Sequence, residues 1–271
     1  MTSAIEKITV LLIGCGKMGG ALLDGWLKDG ICSQITICEP FGFPGKYADN
    51  PIIKHIKDAQ EITKNYDVCV LATKPQIMDD VCPAIQENLN ENALILSIAA
   101  GKTIGYFENF FGAHPIIRAM PNTPAAVGKG ITVAVPNSLT SEKQTAQAHA
   151  LLKAGGDVEW LDTEDLMDAV TALSGSGPAY VFHLIEVLEQ TGNKLGLSAE
   201  LSSKLARQTI IGSAALASED SGTDAGTLRK NVTSPGGTTE AALKILMDGR
   251  LEKLYEEALT AARDRGQELS V

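Results

Sequence analysis

The sequence predicts an α/β chain: a mostly parallel sheet in the first part, then an all-helical part. Three observations lead there. Short apolar runs alternate with helical stretches through the first half, the pattern of βαβ units. A glycine-rich turn separates the first such run from the first helix. Beyond Leu161 convincing strands stop, and alanine- and leucine-rich helical periodicity takes over. The 271 residues suit two domains or one large α/β domain. The spacing places a boundary at 162/163, giving a sheet domain over 1–162 and a helical domain over 163–271.

In order, "KITVLLIG" is a continuous apolar run ending in glycine, as expected of a strand buried on both faces. "GALLDGWLKDG" has helical spacing and closes at Gly30. "SQITICEP", "DVCVLATKP" and "ALILSIAAG" read as the next strands, with "PIIRAMPN" and "GITVAVPN" after them and a stub near Val158–Leu161. In the second half, Val181, Leu184, Ile185 and Leu188 fall at helical spacing, Ser198 suits a helix cap, and a last helix repeats Leu251, Leu254, Tyr255, Ala258 and Ala262. Pro178 suits a first helical turn, with Ser174 or Ser176 as its cap. These helices are apolar on more than one side, so the second half is expected to bury a face against a copy of itself.

Composition excludes some functions. Hydrophobic content is 44% and net charge is -10, from 23 Lys+Arg against 33 Asp+Glu. That balance argues against non-specific nucleic-acid binding. No apolar run is long enough for a membrane helix, and the first residues lack a signal-peptide pattern. Five cysteines (Cys15, Cys32, Cys38, Cys69, Cys82) form no CxxC pair and read as reduced thiols of a cytoplasmic protein. Four scattered histidines make no metal-like cluster, and no metal is expected.

The turn "GCGKMG" follows a strand and opens a helix, the context that a dinucleotide fingerprint requires. Gly14 serves the tight turn, Gly16 the approach of a pyrophosphate and Gly19 close helix–strand packing. The bland alternative is a β–α turn that binds nothing. Glu39 lies 20 residues beyond Gly19, at the end of the second strand, where a carboxylate accepts from a ribose and repels a 2′-phosphate. Lys46 follows in "PFGFPGKY" and could answer a phosphate instead. Lys74, in "ATKPQ", stands where cofactors lie in such sheets, or is a surface lysine.

Three further loops stand out: "IRAMPNTPAAVGKG", "TALSGSGPAYVF" and "NVTSPGGTTEAAL". The last places more glycine and hydroxyl residues before a helix than a cap needs. With "GCGKMG" and "ATKPQ", and over essentially the whole length, the chain resembles pyrroline-5-carboxylate reductase. The resemblance implies an N-terminal Rossmann domain and a C-terminal helical dimerisation domain. It implies reduction of 1-pyrroline-5-carboxylate to L-proline with NADPH or NADH, by a homodimer or a decamer of five dimers. It places cofactor contacts at Gly14, Cys15, Gly16, Lys17, Met18 and Gly19, at Ala72, Thr73, Lys74 and Pro75, and near the nicotinamide at Ala99 within "SIAAG". It places substrate contacts at Asn231, Ser234, Gly237, Thr238 and Thr239. Many family members carry a basic or Ser/Asn-Arg stretch after the second strand; here "CEPFGFPGK" stands there, which puts the usual NADPH preference in question.

The chemistry of the last turn follows from its residue types. Amides at Gly237 to Thr239, on a helix N-terminus, can bind the substrate carboxylate without a side-chain cation. Glycines at 236 and 237 clear the approach. Thr239 is the candidate proton donor to the imine nitrogen, or else a binding group alone. Two rivals remain at this level: a 3-hydroxyacid or imine reductase of the same plan, and an NAD(H)-sensing regulator. The first often carries a lysine early in its first long helix, which "PAYVFHLIE" lacks.

Overall fold

The computed structural model describes residues 7–63 and 65–269. The strands are β1 (Ile8–Ile13), β2 (Cys32–Cys38), β3 (Ile53–Ile56), β4 (Val68–Leu71), β5 (Leu94–Ser97), β6 (Ile116–Met120), β7 (Gly130–Pro136) and β8 (Gly156–Trp160). They form one sheet in the order β3-β2-β1-β4-β5-β6-β7-β8. Every pairing is parallel except β6 with β7. The strand β3, "IKHI", has no counterpart in the sequence reading. It is a four-residue edge strand with Lys54 and His55 inside it, too short and too polar for an apolar-run test.

Helices cover both faces of this sheet. They are α1 (Lys17–Asp29), α2 (Met78–Gln86), α3 (Ile104–Phe111) and α4 (Glu142–Lys153). Alternation along β1 divides the core. Val10 and Leu12 join one cluster with Leu22, Trp26 and Leu151; Leu11 and Ile13 join the other with Met78, Ile85 and Phe107. The apolar run is continuous because both sets are buried. Each such side chain contributes about 1.5–3 kcal/mol on burial. The indole of Trp26 donates to Leu151 O at 2.8 Å and so ties α1 to α4.

The remaining helices are α5 (Met167–Val170), α6 (Gly177–Lys194), α7 (Ala199–Glu219), α8 (Ala225–Asn231), α9 (Thr238–Leu246) and α10 (Arg250–Leu269). The chain separates into two compact units. One runs to Ser176 and resumes at Ala262; the other is Gly177–Ala261. In the second unit α6 packs on α7, with Gly192 close to Ser202, and the Ser203 hydroxyl donates to Glu189 at 2.8 Å. The Ser198 hydroxyl caps α7 by accepting from Leu201 N. Neither Ser174 nor Ser176 caps α6 in the same way. Both lie at a π-turn over Thr171–Gly175, and the Ser174 hydroxyl donates back to Val170 O at 3.0 Å.

Among the described residues of 177–261 only Ser202 and Ala206 are buried. Phe182, Leu205, Ile211, Leu216 and Leu254 are exposed. A helical unit with its apolar faces open has no sufficient core of its own.

Candidate active site

The first turn is built by close packing. Gly14 has φ +89°, and a Cβ there would stand 2.8 Å from Thr73 Cγ2. A Cβ on Gly19 would stand 2.6 Å from the Gly14 carbonyl and 3.1 Å from Ala72 Cβ. Gly16 differs: a Cβ there meets nothing within 4 Å. It starts α1 without any side-chain cap. The first amides of α1 therefore have no side-chain cap, and a helix N-terminus of this kind suits an anion.

A groove of about 530 Å³ runs along this edge. Gly14, Gly16, Glu39, Ala72, Thr73 and Lys74 line it. Among the other sequence-nominated residues, Lys17 is exposed, Met18 half-buried, and Cys15 buried. Burial, reinforced by the Glu39 charge, pushes the Cys15 thiol up to about 11, so it stays protonated at neutral pH. Pro75 follows Lys74 into a short 3-10 turn, and Ala99 is buried with its amide donating to Ser97 Oγ at 3.2 Å. The loop beyond Ala99 is secured at its far end. Glu164 accepts from Ile104 N at 2.9 Å and from the buried Arg118 at 2.6 Å.

Glu39 is held facing the glycine turn. Its carboxylate accepts from Cys15 N at 3.0 Å and Phe41 N at 2.9 Å. Lys46 has a carboxylate partner in this structure. It pairs with Asp24 on α1 at 2.6 Å, and that hydrogen bond raises its pKa. Several groove residues escaped the sequence reading, and two of them bear on cofactor binding. Lys57 lines the groove, and so does Phe41, which is 91% exposed and offers a ring on which a base can stack. Polarity and loop position gave no signal for either. An exposed phenylalanine is informative only once its neighbours are known.

The second turn is built openly. Gly236 has φ +72° with nothing near its missing Cβ. α9 begins at Thr238 with Gly237 as N-cap and no side-chain cap. Among the described residues, the side chains of Asn231, Ser234, Thr238 and Thr239 make no hydrogen bond. One expectation is corrected here. The Gly237 amide already donates to Ser234 O at 3.0 Å, and the Gly236 amide to the Glu240 carboxylate at 2.6 Å. The open amides are those of Thr238 and Thr239.

No group of three or more His, Cys, Asp or Glu among the described residues is placed to hold a metal ion. Among the described residues no helix is long and apolar enough to cross a membrane.

Residues 164–269 match the family model for pyrroline-5-carboxylate reductase dimerisation, and residues 8–101 match that for NADP oxidoreductase coenzyme F420-dependent. The chain is 42% identical to a pyrroline-5-carboxylate reductase of Pseudomonas aeruginosa, over 96% of each. Its fold is similar to that of a pyrroline-5-carboxylate reductase from Coxiella burnetii, with TM-score 0.91, 36% identity and coverage of 98% of this chain and 100% of that one. It is also similar to a Plasmodium falciparum pyrroline carboxylate reductase with NADP bound, with TM-score 0.84, 31% identity and coverage of 99% and 100%. With a dinucleotide cradle at one end of the sequence, an uncapped Gly-Gly-Thr-Thr turn near the other and likeness over nearly the full length, the chain belongs to the pyrroline-5-carboxylate reductase family.

Proposed function

We propose that this chain reduces the cyclic imine 1-pyrroline-5-carboxylate to L-proline, the last step of proline biosynthesis, with NADPH or NADH. The observation that carries the reading is the uncapped turn at Ser234–Thr239, with its hydroxyls unpaired, in a chain that also holds a dinucleotide cradle. The reduced nicotinamide, when bound, supplies the hydride. Gly14 to Gly19, Ala72 to Pro75 and Ala99 would hold that cofactor. The open amides at the start of α1 would take its pyrophosphate, and Glu39 its adenosine ribose.

The residues of the turn do the rest. The Thr238 and Thr239 amides donate to the substrate carboxylate at a helix N-terminus. The bare Cα atoms of Gly236 and Gly237 let it approach, and the Ser234, Thr238 and Thr239 hydroxyls with the Asn231 amide orient the ring. The nitrogen must gain a proton as the carbon gains hydride. The Thr239 hydroxyl donates or relays it, unless the iminium binds already protonated.

Glu39 favours NADH, since its charge repels a 2′-phosphate; Lys46 beside it pairs with Asp24. Lys57 and Lys74 line the same groove and work the other way. The functional division at 162/163 is supported by the last strand ending at Trp160 and by the dimerisation match beginning at residue 164. The open apolar faces of α6, α7 and α10 support a homodimer as the working unit, alone or as five dimers in a decamer.

Loss of NADH or NADPH absorbance on adding 1-pyrroline-5-carboxylate tests the function, with formation of L-proline as the product check. No imine-dependent oxidation of either cofactor overturns it. The hydroxyacid alternative is disfavoured because α6 carries no lysine before Lys194.

A further inference from the structure

We infer that Asn122 is a positioning residue of the reductase: its side-chain amide clamps the loop after β6 to the π-turn and fixes the wall beside the nicotinamide end. The inference rests on the function proposed above. The π-turn over Thr171–Gly175 is closed by Ser176 N donating to Thr171 O at 2.8 Å. Such turns insert a residue into a helix and put carbonyls out of register, often at functional sites. The next helical donor for the Ser174 carbonyl would come from position 178. That residue is Pro178, which has no N–H. A half-buried carbonyl is left needing a donor from elsewhere.

Asn122 supplies it. Its Nδ2 donates to Ser174 O at 3.2 Å, and its Oδ1 accepts from Ile131 N at 3.0 Å. One planar group thereby joins the carboxyl end of β6, the start of β7 and the π-turn. Met120 adds a second contact: a Cβ on Gly175 would stand 2.5 Å from Met120 Cε. Only an amide offers donor and acceptor together at this reach; aspartate keeps the acceptor and loses the donor.

The location ties the clamp to the reaction. Strand order places the loops after β2, β1, β4, β5 and β6 side by side along the carboxyl edge. A dinucleotide held by Glu39, Gly14–Met18, Ala72–Pro75 and Ala99 would reach the end of β5, and β6, whose loop holds Asn122, is the next strand. Asn122 need not touch the substrate. It acts through the wall that it holds in place.

Asn122→Asp keeps the bond to Ile131 N and sets a carboxylate against the Ser174 carbonyl. Its kcat for imine reduction is expected to fall about tenfold or more, the scale of a small misplacement. KM for NADH should stay within about twofold, since cofactor affinity is set elsewhere in the cradle. Pro178→Ala restores an N–H at position 178. In the Asn122→Asp/Pro178→Ala double variant part of the lost kcat should return, a coupling that general destabilisation would not produce. In the wild-type chain, NMR should find the Asn122 side-chain amide protected from exchange. Wild-type kcat in Asn122→Asp overturns the inference. So does a kcat loss that only follows loss of folded protein on thermal melting, without recovery in the double variant. A freely exchanging Asn122 amide overturns the clamp without any reference to turnover. A wild-type chain inactive on the imine with both cofactors would count against the proposed reaction instead.

Discussion

Two glycine-rich turns open helices in this chain, and they are built on opposite terms. At Gly14–Gly19 the glycines are forced by neighbours: backbone and Ala72 stand where side chains would go, and only Gly16 faces open space. At Gly236 nothing crowds the missing side chain, and at Gly237 the single tight neighbour is the Ser234 carbonyl of the same turn, 3.1 Å from where a Cβ would stand. The first turn uses glycine to bring strand and helix together. The second leaves the Thr238 and Thr239 amides without a partner, where the proposed reaction would seat a small anion. Glycine before a helix therefore says little until one knows what occupies the space of the absent side chain.

The contrast can be broken where it is strongest. Gly19→Val is expected to cost about 3 kcal/mol or more, because overpacking a tight contact forces backbone to shift. Thermal melting and cofactor titration should both register it; a stable variant with normal NADH affinity would show that the packing reading is wrong. Thr239→Ala at the open turn should leave folding nearly intact. If the hydroxyl supplies the proton, kcat should fall roughly 10²-fold, the scale for a positioned acid. If it only orients the ring, KM for the imine should rise while kcat holds. Wild-type kinetics would remove Thr239 from the site.

A matched pair sharpens the comparison further. Gly16→Ala places a methyl where the protein has nothing but where a pyrophosphate would lie. Its melting temperature should be unchanged and KM for NADH should rise about tenfold, with KM for the imine unaffected. Gly237→Val should give the mirror result: KM for the imine up about tenfold, cofactor affinity intact by fluorescence titration. If both variants shift the same constant, the two turns do not bind different partners. The smallest effect is expected at Glu39→Ser, which removes a like charge from the 2′ position. The kcat/KM ratio for NADPH over NADH should rise by a few-fold, about 1 kcal/mol of discrimination or less. An unchanged ratio would mean that Lys57 and Lys74 set the preference.

How much of this was legible in the sequence depended on the range of the signal. The apolar run before Gly14 and the fingerprint spacing are local, and the structure repeats them in β1 and α1. The same holds for the helix cap at Ser198. The edge strand β3 was hidden, because four residues with a lysine and a histidine carry no periodicity to detect. Ser174 looked like a cap by residue type, yet its hydroxyl turned back to Val170 once a π-turn displaced it. Lys46 was read by position alone, and its ion-pair partner Asp24 lies 22 residues away.

The sequence by itself determined the order of elements, the cradle and the Gly-Gly-Thr-Thr turn, because periodicity, glycine placement and spacing act within a few residues. Only the tertiary structure decided which donors and acceptors remained unspent. The Gly237 amide was consumed by Ser234 while those of Thr238 and Thr239 stayed open, and Asn122 reached across 52 positions to the carbonyl that Pro178 could not serve. Hydrogen-bond partners are chosen by proximity in space, and distance along the chain does not encode it.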